Sequence, residues 1–171
     1  MQQAGSEPQE APSVDQPLDT ATFEKDPCQS LAPAQTQSLG MGDAEGEPEL
    51  DPDIGASCSW SSVSTSAAGS LLSVSYPPQG NGLKSLYAKR ETYPHFRELP
   101  QVSGYPAVVA MNGQTPPEQA GTCDLNVGIA DDRMVSIHTA ASSDQSPDKA
   151  DPCGKAQQVA GEVVKTLQAG K

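Results

Sequence analysis

The sequence predicts an α+β fold, an antiparallel β-sheet flanked by helices and stapled by two disulfides. Three observations carry that expectation. Short stretches between residues 56 and 138 alternate apolar and polar side chains with period two, as half-buried strands do. The end of the chain places apolar residues three and four apart, as an amphipathic helix does. The cysteines at 28, 58, 123 and 153 are even in number and contain no C-x-x-C pair. That spacing suits disulfides in an oxidising compartment better than a zinc site.

The closing helix is the clearest element. Asp151 can cap its start, Pro152 suits its first turn and Gly170 its end. Ala156, Val159, Ala160, Val163, Val164 and Leu167 form one face, with Lys155, Gln158, Glu162, Lys165 and Gln168 opposite. Cys153 lies three residues before Ala156 and joins the buried face. Asp26-Pro27-Cys28 repeats the same opening near the other end, followed by a turn through Leu31 and a helix from Pro33 to Leu39 with Gly40 as its stop.

Residues 1–22 are rich in Gln, Ser, Pro and Glu and read as a disordered tether, leaving 23–171 as the folded domain. Residues 41–55 read as an acidic loop that lacks the arrangement of a calcium site. Cys58 and Trp60 share a strand face, as do Leu72, Val74 and Tyr76, and the two stretches form a hairpin turned by the small residues from Thr65 to Gly69. Leu83, Leu86 and Tyr87 mark a short helix within Gly82 to Arg90. Weak strands follow at Gln101 to Ser103 and Ala107 to Met111. Cys123, Leu125, Val127 and Ile129 form the most regular strand, and Val135 and Ile137 face the core from the next. A three-residue loop ending at Arg133 would pair Ile129 with Val135 and Val127 with Ile137. Arg133, Asp131 and Asp132 read as solvated turn residues. For the disulfides, Cys28–Cys58 and Cys123–Cys153 each close about thirty residues and tie a helical turn to a strand. The rival pairing is Cys28–Cys153 with Cys58–Cys123.

A formal charge of −12 argues against a nucleic-acid partner and against an anionic membrane surface. No apolar run has the length of a membrane span. Oxidised cysteines require export, so Met1 is expected to replace an export segment.

The order Asp-Pro-Cys, Leu39-Gly40, Cys58-Ser59-Trp60, a serine-rich hairpin, Gly104-Tyr105-Pro106-Ala107, Cys123 on a strand and a second Asp-Pro-Cys resembles a family of actinobacterial secreted lipoproteins whose shared domain has no assigned function. The resemblance spans roughly residues 24–168. It implies a lipid-modified cysteine ahead of a low-complexity tether, the only route to a membrane, and a fold similar to the PsbP-like α/β sandwich. The chain shows no such cysteine at its start.

No catalytic motif is visible. His95 and His138 are the only histidines, and no serine sits in a Gly-x-Ser-x-Gly elbow. No metal and no cofactor are expected. Tyr76, Tyr93, His95, Phe96 and Tyr105 could together line a ligand groove. Trp60 is expected in the core beside Cys58. The functional expectation is a non-catalytic extracytoplasmic lipoprotein domain that binds a protein or cell-envelope component. The rivals are a binding protein for a small apolar or lipid ligand and a serine hydrolase.

Overall fold

A computed structural model describes residues 10–62 and 68–170. Its strands are β1 (Glu47–Asp51), β2 (Gly55–Ser61), β3 (Ser70–Tyr76), β4 (His95–Val102), β5 (Tyr105–Met111), β6 (Thr122–Ala130) and β7 (Arg133–Ala141). They form a single antiparallel sheet in the order β1-β2-β3-β7-β6-β5-β4. The helices are α1 (Ala21–Lys25), α2 (Pro33–Ser38), α3 (Leu83–Ala88), α4 (Pro117–Ala120) and α5 (Pro152–Ala169), with 3-10 turns at Pro27–Ser30 and Arg90–Thr92. The expected α+β class is the one found.

Alternation along the strands sorts the side chains onto two faces. One face carries Cys58, Trp60, Leu72, Val74, Leu125, Val127 and Ile137, and α5 packs on it through Ala156, Val159, Ala160, Val163, Val164 and Leu167, all at most 1% exposed. The Asp151 carboxylate accepts from the Gly154 N–H and caps α5, as its sequence suggests. Cys28 is bonded to Cys58 and Cys123 to Cys153. Both Asp-Pro-Cys turns are thereby fixed to this face of the sheet. The opposite face has a smaller core, where Leu83, Leu86 and Tyr87 of α3 cover Val108, Ala110 and Met134. Gly128 permits that approach, because a Cβ there would lie 2.9 Å from Leu83 Cδ1.

Several expectations change. Residues 47–51, read as loop, form the edge strand β1, and the strand expected at Gln101 to Ser103 begins at His95. Period two was hidden in both by prolines and by mainly exposed side chains. The β6–β7 connection is a two-residue turn at Asp131-Asp132, with Ala130 opposite Arg133. A bulge at Ile129 then absorbs one residue, so Val127 faces Val135 and Leu125 faces Ile137. The facing parity is as expected although the register differs by two.

Of the expected tether, residues 1–9 lie outside the described residues. From Val14 onward the chain is seated on the domain. Leu18 is 3% exposed, and its N–H donates at 2.9 Å to the carbonyl of Ile129, the bulge residue. The domain therefore starts before residue 23. The Asp131 carboxylate accepts from the Val14 N–H, and Arg133 pairs with Glu24 and donates to Thr20 Oγ1 at 2.6 Å. The hairpin tip is a clasp for the N-terminal segment: Asp131 and Asp132 are exposed turn residues, as expected, whereas Arg133 is half-buried by its partners. The turn of the β2–β3 hairpin falls largely on residues 63–67, outside the described residues.

Candidate functional site

The part of the sheet formed by β1, β2, β3, β7 and β6 has a polar face turned away from α5. Cross-strand pairing sets Glu47, Ser59, Ser73, His138 and Asp124 side by side in one row. Glu49, Ser57, Ser75, Ser136 and Asn126 form the next. The serines at 57, 59, 73 and 75 thus fill the middle outward positions of β2 and β3, since the alternate positions are taken by the core. His138 Nδ1 and Asp124 Oδ1 are 2.6 Å apart, with the side chains 40% and 47% exposed. Ser59 Oγ donates to Ser73 Oγ at 3.1 Å, and Ser136 Oγ donates to Asn126 Oδ1 at 2.7 Å. The face offers hydroxyls, an amide and an imidazole–carboxylate pair, with carboxylates along one edge.

Sequence spacing did not reveal this assembly. Asp124 and His138 are fourteen residues apart and meet only through the β6–β7 register. His138, read as an ordinary strand residue, has a carboxylate partner. Ser73 stands on its other side, yet no hydrogen bond joins Ser73 to His138 among the described residues.

The residues expected to line a common groove are not brought together. Tyr76 is 2% exposed in the α5-side core, where it donates to Ser30 Oγ at 2.6 Å, and burial pushes its phenol well above the usual range. Tyr105 lies in that same core, its hydroxyl donating to the Gln16 carbonyl at 2.8 Å. Tyr93 and Phe96 pack on the opposite face with Tyr87, whose ring meets Phe96 edge-on at 5.2 Å. His95 Nε2 sits 3.1 Å from the Gln114 carbonyl at the rim. A tyrosine followed by proline marks a strand end, but it does not say which face the ring takes. Trp60 is 3% exposed in the core near the Cys28–Cys58 bond, as expected.

Among the described residues no group of three or more His, Cys, Asp or Glu side chains could hold a metal ion. No described helix is long and apolar enough to cross a membrane.

A family model described as "Protein of unknown function (DUF3558)" matches residues 2–166. The chain belongs to the DUF3558 family. Its match spans the sheet, both disulfides and nearly all of α5. No curated protein and no solved structure matches this DUF3558 chain.

Proposed function

We propose that this DUF3558 protein is a non-catalytic, extracytoplasmic binding domain, anchored by a lipid ahead of its N-terminal segment, that docks a protein or cell-envelope component on its open sheet face. The observation that carries the reading is the double polar row on β1, β2, β3, β7 and β6, which no core packing requires. Buried strands need apolar side chains on their covered face only. Nine exposed or half-buried polar residues of the two rows, all but the buried Asn126, supply directional hydrogen bonds to a polar partner surface. The two disulfides support an oxidising location, since the four cysteines are all used and none is free. The actinobacterial lipoprotein resemblance supplies the anchor.

A serine hydrolase is the second reading, favoured by the Ser73, His138 and Asp124 row. Two features weigh against it. Ser73 Oγ accepts from Ser59 and has no bond to the imidazole. The surrounding backbone N–H groups lie in strands paired on both sides, so they leave no outward donors for an oxyanion.

The double variant Ser59→Arg, Ser73→Arg places two bulky cations on the open face without touching a core residue. Affinity capture from envelope extract with parent and variant tests the docking reading. The parent should retain a saturable partner that the variant loses; equal retention contradicts the reading. Labelling of Ser73 by a fluorophosphonate would favour the hydrolase.

A further inference from the structure

Trp60 is the only tryptophan in the chain and is 97% buried by its 3% exposure. Its indole N–H has no hydrogen-bond partner among the described residues. Every fully enclosed side-chain nitrogen or oxygen of those residues does have one. The indole N–H is therefore not sealed, and it opens on a cleft of about 380 Å³ that Trp60 lines with Cys28, Leu31, Pro33 and Thr36. Residues 42–46, which connect α2 to β1, form the lip. Gly46 packs closely on this side of the donor: a Cβ there would lie 2.9 Å from Trp60 Nε1 and 2.6 Å from Cys58 Sγ, so only glycine lets the lip approach the indole and the disulfide.

The walls select a ligand. Leu31, Pro33 and the Cys28–Cys58 bridge give an apolar floor, and one unpaired donor demands an acceptor such as a carbonyl. At the mouth, Asp43 and Glu45 have no cationic partner among the described residues; Asp43 accepts only from Gln37, at 3.4 Å. Phosphates and carboxylates are repelled there, and cations are welcomed.

We propose that this cleft binds an extended peptide segment of a partner protein in which an aliphatic residue precedes a lysine or arginine. The aliphatic side chain rests on Leu31, Pro33 and the disulfide, a backbone carbonyl accepts from Trp60 Nε1, and the basic side chain reaches Asp43 and Glu45. The site is separate from the polar sheet face and stands or falls independently of it.

One tryptophan gives one indole resonance, so nitrogen-15 NMR reads the site directly. The chain, with its disulfides intact, is titrated with acetyl-Leu-Arg-amide and with acetyl-Leu-Glu-amide. The expected result is a saturable downfield shift of the indole proton with the arginine peptide, at an affinity at least about tenfold better than the glutamate peptide's. The double variant Asp43→Asn, Glu45→Gln alters only exposed or half-exposed side chains and should weaken the arginine peptide about tenfold while the indole resonance of the free chain stays in place. An indole resonance that neither peptide moves overturns the proposal. So does one that both move equally, or a double variant that binds like the parent.

Discussion

Val163 is fully buried at the centre of the inner face of α5, so an aspartate there would lose its water without gaining a partner. The cost is several kcal/mol against a total stability of roughly 5–15 kcal/mol. Val163→Asp should abolish the cooperative thermal transition, whereas His138→Ala, which removes a half-exposed pair, should cost less than about 1 kcal/mol. A parental melt for Val163→Asp would mean that α5 does not dock by this face. Glu162 is a different case. Its carboxyl is held below the usual range first by the hydrogen bond from Lys165 and then by that from Gln35 Nε2, each 3.0 Å long. A lowered folded value means that its stabilisation is present above the unfolded carboxyl range, near about 4.3, and is lost as pH falls through the folded value. The gap in melting temperature between the parent and Glu162→Gln should therefore narrow below about pH 4; a gap that persists unchanged at lower pH contradicts the assignment. Lys155 shows where single residues escape a pattern reading. Helical spacing puts it on the outer side of α5, yet its side chain is only 9% exposed, with the ammonium on the Leu39 carbonyl at the end of α2 and 3.6 Å from Asp148. Its long stem carries the charge around the helix to a carbonyl that no local sequence could announce.

At the scale of elements, α5, α2 and the β2–β3 pairing were legible because period and caps agree there. Asp151 and Pro152 open α5 and its apolar face never breaks rhythm. The bulge at Ile129 was not legible, since the Ile129 carbonyl takes its hydrogen bond from the Leu18 N–H, more than a hundred residues away. The same contact hid the true start of the domain. A Pro- and Gln-rich segment has too little apolar surface to fold alone, but one leucine and a few backbone bonds suffice to seat it on a preformed groove. A chain beginning at Ala21 should accordingly melt roughly 5 °C or more below one beginning at Glu10, because burial of Leu18 is worth about 1.5–3 kcal/mol. Equal melting temperatures would show that the segment contributes nothing. The open polar face was half legible. The alternate serines of β2 and β3 are plain in the sequence, but their alignment with His138 and Asp124 needs three strand registers at once.

For the whole molecule, the two bridges divide the covalent constraint evenly. One ties the turn at Pro27–Ser30 to β2, and the other ties the start of α5 to β6. Each closes a 30-residue separation, worth roughly 3–4 kcal/mol in the chain-entropy model. Loss of either is a large fraction of the total, and the polar face, the clasp and the Trp60 cleft all rest on the sheet that the bridges hold. The extracytoplasmic reading depends on those bonds existing in the cell. Non-reducing peptide mapping of the protein recovered from its native host, with thiols blocked at lysis, tests this most directly. The account predicts fully oxidised Cys28–Cys58 and Cys123–Cys153 peptides; free blocked thiols at these positions, or a Cys28–Cys153 peptide, would contradict it.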